Sequence, residues 1–221
     1  MKFDQETIRQ AVDVLKQSDT TMKRLIETVG PCSLDVDPSP FRMLIRAITG
    51  QQLSVAAAKT IWTRFLILNG TQRVSAVGLS RLTDAELRSV GISRNKIQSI
   101  RGIQHAFANR DISIRQLRGM SDDDVRTGLC ELRGVGPWTA DMFLMFGLGR
   151  LDVFPVGDLG LVNAIGEFYR HGERPNKVQM LEMGNRWAPY RTVATWYCWR
   201  GLDALRSGQL STSYNMKTKP L

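Results

Sequence analysis

The sequence predicts an all-α protein, on three observations. Apolar residues recur at helical spacing through most of the chain, capping residues stand where those stripes begin and stop, and no two-residue alternation is long enough for a sheet. The mix of 43% hydrophobic and 23% charged residues is that of an ordinary folded chain. At about 150 residues per domain, the 221 residues make one large domain or two small ones.

The elements follow in order. Ile8, Ala11, Val12 and Leu15 form one helical stripe, and Met22, Leu25, Ile26 and Val29 a second, with Ser18-Asp19 as an N-cap between them. Gly30-Pro31 ends the second helix, and a Pro- and Asp-rich loop from Asp35 to Pro40 follows. Phe41, Leu44, Ile45 and Ile48 make a third stripe that stops at Gly50. Ser54 then caps a longer helix carrying Val55, Ala58, Ile61, Trp62 and Phe65. Thr83-Asp84-Ala85-Glu86 is a capping box for a short helix ending at Gly91. Ser121 followed by three aspartates reads as a helix start, where the macrodipole favours acids, in preference to a metal site. Further helices are expected near 137–148, 158–170, 176–187 and 189–204, with a frayed polar tail from Ser207 to Leu221.

Charge and cysteine usage narrow the function classes. Thirty basic residues against 21 acidic ones leave a net charge of +9, and 22 of the basic residues are Arg. Arg grips phosphate in bidentate fashion, which points toward nucleic acid, although a merely solvated basic surface fits charge alone equally well. No run of about 18 apolar residues exists to span a membrane, and the N-terminus lacks an apolar signal core. Cys32, Cys130 and Cys198 are far apart, with no CxxC pair, and His105 and His171 are the only histidines. A Cys-only zinc or iron–sulfur site, a His-rich metal centre and a disulfide framework are therefore not expected. The expected compartment is reducing: a cytoplasm, close to the nucleoid, or a nucleus. His105 is read as a helix residue and His171 as a loop residue before Gly172.

The most informative segment is Leu132-Arg133-Gly134-Val135-Gly136-Pro137-Trp138-Thr139-Ala140. Gly134 and Gly136 can adopt angles closed to other residues and let the backbone approach a ligand. Pro137 suits a first helical position, where unpaired N–H groups face outward as an anion site. Val135 is expected to plug between the flanking helices.

With these residues the chain resembles the helix–hairpin–helix DNA glycosylases, which excise damaged bases, and within them the 3-methyladenine DNA glycosylase II branch. The resemblance runs from about Phe41 to Leu205. It is carried by Gly50-Gln51-Gln52-Leu53-Ser54, the hairpin, Asp152-Val153-Phe154-Pro155-Val156-Gly157-Asp158-Leu159-Gly160, and Trp187-Ala188-Pro189-Tyr190-Arg191. It implies two helical subdomains flanking a cleft, one interleaved unit over 1–206. About 41–150 would be one half, with 1–40 and 151–206 packing as or completing the other. Larger members of the branch carry an N-terminal β-rich domain, and the roughly 40 residues before the shared region leave no room to expect one.

The resemblance also assigns roles. Asp158, 22 residues after Gly136, becomes the catalytic carboxylate, which stabilises the oxocarbenium charge formed as a base leaves deoxyribose. Read alone, Asp158 is a plain helix N-cap, and both roles can coexist. In lyase members the second residue after the hairpin's last Gly is a lysine; here it is Trp138, which implies a monofunctional enzyme that forms no Schiff base. Trp138 and Trp187 would line the pocket for a flipped-out, positively charged alkylpurine, selected by stacking on indole. Met142 stands where some members carry a further pocket aromatic, leaving the lesion range open. Core packing is the competing role of both tryptophans, and it is the expected role of Trp62, Trp196 and Trp199. The wedge into the DNA stack aligns with Gln52, and the neighbouring Leu53 is expected to turn into the core. Gly134, Val135, Gly136 and Thr139 would meet phosphate, with an alkali cation, Na+ or K+, on the backbone carbonyls of Cys130, Leu132 and Val135.

The implied partner is double-stranded DNA with alkylated bases, met by a monomer with no membrane contact and no iron–sulfur cluster. Two alternatives stay open: a non-catalytic hairpin module that only anchors DNA, and a glycosylase for other damaged or mismatched bases.

Overall fold

The computed structural model describes residues 3–210, and every regular element among them is helical. Two compact units appear. One is a continuous stretch of chain, 36–149, and the other combines 3–35 with 150–210. No helix among the described residues is long and apolar enough to cross a membrane.

The continuous unit begins with α3 (Pro40–Gly50), the two helices before it, α1 (Gln5–Ser18) and α2 (Thr20–Val29), belonging to the other unit. Ser39 caps α3 and Pro40 occupies its first turn, as the loop composition requires. Its apolar stripe is what the spacing predicts: Leu44, Ile45 and Ile48 are completely buried, each gaining about 1.5–3 kcal/mol over the exposed state. They face α4 (Val55–Asn69), α7 (Arg94–Ala108) and α10 (Pro137–Phe143). Ser54 caps α4 and the Thr83 capping box opens α6 (Asp84–Ser89). Ser121 caps α9 (Asp122–Cys130) and places Asp122, Asp123 and Asp124 in its first turn, so the acidic triplet is a helix start.

Of α7 the sequence reading gives only His105 as a helix residue and no apolar stripe; the helix is capped by Ser93 and buries Ile97, Ile100 and Ile103. Buried Ser99 and Gln104 interrupt its apolar face, and that dilutes the pattern. Two helices of five and six residues, α5 (Ala76–Ser80) and α8 (Ile114–Gly119), are too short for a periodic signal. The helix expected over 137–148 is α10 followed by a π turn, Leu144–Leu148, closed by Gly149 at φ +74°.

The second unit packs α13 (Arg191–Arg206) against α2, α1 and α11 (Leu159–Tyr169). Gly201 makes room for this: a Cβ there would lie 2.7 Å from Leu25 Cδ2. Asn176 and Gln179 form a capping box for α12 (Lys177–Arg186). The first residues expected in the polar tail, 207–210, are instead folded back on α13. Gly208 (φ +75°) reverses the chain, Gln209 and Leu210 donate back to Ala204 O (2.9 and 3.2 Å), and Leu210 is buried. The remainder, 211–221, lies outside the described residues.

Candidate active site and nucleic-acid interface

Each unit carries part of the predicted site. In the continuous unit the hairpin between α9 and α10 is closed by its own backbone: Leu132 N–H donates to Leu129 O (3.1 Å) and Val135 N–H to Leu132 O (3.0 Å). Gly134 is required on two counts. Its φ is +79°, and a Cβ would sit 2.1 Å from Ser99 Oγ on α7. Gly136 corrects the sequence reading. Its φ of −105° is open to any residue, and nothing lies within 4 Å of where a Cβ would point. What its bare backbone does is keep the approach to α10 clear, where no side chain caps the first N–H groups. Val135 is buried, as a plug should be.

A second clamp crosses the hairpin. Arg126 on α9 donates from Nε to Asp141 Oδ1 on α10 (2.9 Å) and also binds Asp123 (2.6 Å). Burial pushes the Asp141 carboxyl above its ordinary value, and the Arg126 guanidinium opposes that shift. Trp138 in the first turn of α10 is half-buried, while Met142 one turn on is buried.

The Gly50–Ser54 loop lies against the same hairpin. Gln51 Nε2 donates to Gly134 O (2.9 Å) and to Thr139 Oγ1 (2.8 Å), and Thr139 is itself buried. Lys96 Nζ, in the first turn of α7, donates to Thr49 O (2.9 Å) and Gln51 O (2.8 Å). Burial lowers the Lys96 pKa from its ordinary value. Gln51 (φ −52°, ψ 136°) and Gln52 (φ +56°) form a turn of type II shape, with Leu53 N–H on Gly50 O (3.3 Å). That turn favours Gly or Asn at its third position, so Gln52 there carries strain of about 1–2 kcal/mol. Gln52 is exposed, and so is Leu53, at 38%. The expectation that Leu53 turns into the core is wrong, because the tight turn leaves both side chains outside.

In the second unit Asp158 is the N-cap of α11 and only 9% exposed. Its Oδ1 accepts from Leu161 N–H (2.7 Å) and from Trp199 Nε1 (2.8 Å). Gly160 leaves space for this pair, since a Cβ would stand 3.1 Å from both Asp158 Oδ1 and Trp199 Nε1. Trp199, expected as core, is half-buried and orients the carboxylate. The loop before Asp158 is tied to the start of α13. Arg191 pairs with Asp152 in a fork (2.6 and 2.8 Å). Thr192 Oγ1 accepts from Val153 N–H (3.1 Å) and donates to Arg150 O (2.7 Å). Two of the quoted motifs therefore meet through Asp152 and Arg191.

Trp187 departs from expectation. It is completely buried, its Nε1 donates to Asp19 Oδ2 (3.0 Å), and it packs edge-on against Phe154 and Tyr169. With no exposed ring face it offers nothing for a base to stack on; its role is to bind the N-terminal helices into this unit. The sequence reading leaves Gln51 and Lys96 without a role, and it misses the bonds that Trp199 makes to Asp158 and Asp19 to Trp187. Only Gln51 stands within a quoted motif, and a lysine in a helix's first turn, against the macrodipole, is the one local hint at Lys96.

The HhH-GPD superfamily base excision DNA repair protein model matches residues 45–189. A curated relative, the alkylbase DNA glycosidase-like protein mag2 of Schizosaccharomyces pombe, is 34% identical over 200 residues, 88% of this chain and 94% of that protein. A DNA-3-methyladenine glycosidase from Bacillus halodurans superposes with a TM-score of 0.77 at 35% identity, covering 92% of this chain and 93% of its own. The 3-methyladenine DNA glycosylase Mag1 of Schizosaccharomyces pombe, solved with abasic DNA, gives 0.80 at 29% identity and covers 95% and 100%.

Proposed function

The chain belongs to the HhH-GPD superfamily of base excision DNA repair proteins, and we propose that it is a monofunctional glycosylase releasing alkylated purines from double-stranded DNA. The observation that carries this is Asp158: a nearly buried carboxylate at a helix start, oriented by one backbone N–H and one indole N–H. As the glycosidic bond breaks, its electron pair leaves with the base and positive charge spreads over the sugar C1′ and O4′. The Asp158 carboxylate stabilises that charge, and water adds at C1′ and gives up a proton to solvent, leaving an abasic sugar with a C1′ hydroxyl. An alkylated purine already carries positive charge, so it leaves readily and stacks well on an indole face.

Trp138 is the stacking residue in this reading, and Met142 backs it from one turn along α10. Trp138 also stands in the place of the lysine that lyase chemistry needs, so no strand nicking is expected. The hairpin from Gly134 to Thr139 grips phosphate through backbone N–H groups, and the Gln52–Leu53 tip enters the duplex as the base leaves it. The Arg surplus adds sequence-blind, salt-sensitive attraction. In this reading the backbone carbonyls of Cys130, Leu132 and Val135 would hold an alkali cation. Leu132 O accepts one N–H, from Val135, and keeps a lone pair for the ion. The reading needs no iron–sulfur cluster, and it places a monomer wherever cellular DNA lies.

The test is purified Asp158→Asn on methylated duplex DNA, with released bases identified by chromatography. Asn retains the cap and both accepted hydrogen bonds but no charge, so folding and DNA affinity should hold. Excision should drop by about 100-fold or more. Wild-type release rates in the mutant would remove Asp158 from the chemistry, and no base released by the wild type would leave only DNA binding.

A further inference from the structure

We infer that Gln51 is a positioning residue that joins the loop tip to the hairpin, so that insertion into DNA and grip on phosphate act as one device. The inference rests on the reading of both segments as DNA contacts. It starts from the strained tip: Gln52 at φ +56° occupies a turn position that suits Gly or Asn. Such a conformation persists where its surroundings over-determine it. Here they do so from both sides. Lys96 holds the carbonyls of Thr49 and Gln51, which fixes the backbone leading into the tip. The Gln51 amide then spends both its protons on the hairpin, at Gly134 O and Thr139 Oγ1, 83 and 88 residues away in sequence.

The hairpin does not need Gln51 to close. Its turn is made by Leu132 and Val135 N–H groups, its flanking helices are joined by Arg126 and Asp141, and Gly134 seats against Ser99. What the Gln51 amide adds is a link. A peptide unit is planar, so holding Gly134 O also sets the plane that carries Val135 N–H. A tip displaced by the DNA stack would pull on that plane and on Thr139. Conversely, a hairpin seated on phosphate holds the tip extended. The second acceptor has the same logic: Thr139 is buried and cannot yield, so the amide has a fixed anchor.

Three variants separate this from ordinary packing. Gln51→Leu keeps the volume and removes both donors, Thr139→Val removes one acceptor at constant shape, and Thr139→Ser restores it. The probes are a duplex with 2-aminopurine beside a tetrahydrofuran abasic-site analogue, the same duplex undamaged, and dimethyl sulfate-treated duplex for single-turnover release of 7-methylguanine. For Gln51→Leu, affinity for undamaged duplex should stay within about twofold, because sequence-blind phosphate contacts set it. For Gln51→Leu, preference for the abasic analogue and the single-turnover rate should each fall about tenfold, the worth of one or two hydrogen bonds. The 2-aminopurine unstacking signal should be lost. Thr139→Val should follow in the same direction and Thr139→Ser should match the wild type. Unstacking and preference retained in Gln51→Leu would overturn the inference alone. So would an equal loss of affinity for both duplexes together with a lowered thermal midpoint, which is what a packing role produces. A wild type that neither unstacks nor prefers the abasic analogue would overturn the reading of both segments, and this inference with it.

Discussion

The hairpin and the Asp158 loop solve the same problem, holding a functional group still, by opposite means. The hairpin presents backbone and keeps it bare: Gly136 has open space where a side chain would be, and the Gly134 carbonyl is held from outside by the Gln51 amide. The Asp158 loop presents one side chain and encloses it, with Trp199, Leu161 and Gly160 around a single carboxylate. A site made of backbone tolerates changes of side chain and fails when a Cβ is added. A site made of one side chain fails when its charge or its orienting donor is lost.

The sharpest way to break the first half of that contrast is Gly134→Ala. It forces a Cβ to within 2.1 Å of Ser99 Oγ at a left-handed φ, and should cost about 2–4 kcal/mol in chemical unfolding together with duplex affinity. Unchanged stability would mean that α7 gives way. The enclosed half is probed by Trp199→Phe, which keeps a ring and removes the donor to Asp158. Loss of orientation should slow single-turnover excision about tenfold, as for one charge-assisted hydrogen bond, with undamaged-duplex binding unaltered. Excision at the wild-type rate would reduce Trp199 to packing. Next in size is Gln52→Gly, which relieves the turn. Stability should rise by up to about 1 kcal/mol while duplex unstacking falls, and a variant that is less stable would remove the claim of strain.

The smallest effect concerns Asp141, a carboxylate in the hairpin's frame whose pKa burial raises. Its folded pKa lies above 3.8, so the native state binds more protons there than the unfolded chain. Its contribution is therefore fully present below about 3.8 and is lost as pH rises through the folded value. The unfolding free energy of wild type minus Asp141→Asn should accordingly decline with rising pH across the acid range. A flat or rising difference would mean that Arg126 outweighs burial.

These differences track what was readable beforehand. Asp19, Ser54, Thr83 and Ser121 act on N–H groups three residues away, so local sequence reveals them. The hairpin is legible for the same reason, although its two glycines, alike in sequence, are held by different requirements. The pairs Gln51–Thr139, Lys96–Gln51 and Trp199–Asp158 join residues 41 to 88 positions apart, and no local pattern encodes them. Trp187 shows the converse limit. Membership of a motif names the residue type, whereas whether its ring faces solvent depends on Asp19, 168 positions earlier.

That last bond has a consequence for how the molecule comes into being. Asp19 accepts from Tyr169 and Trp187, 150 and 168 residues downstream, while the 36–149 unit draws on one unbroken stretch. On the ribosome the continuous unit has all its partners in hand well before α1 and α2 have theirs. Meanwhile the faces of those two helices that α13 covers lack their partner. Closing the circuit then costs loop entropy that the already compact insert has shortened. Birth order, and with it exposure to chaperones and proteases, is thus written into the division of one unit between the segments before 36 and after 149.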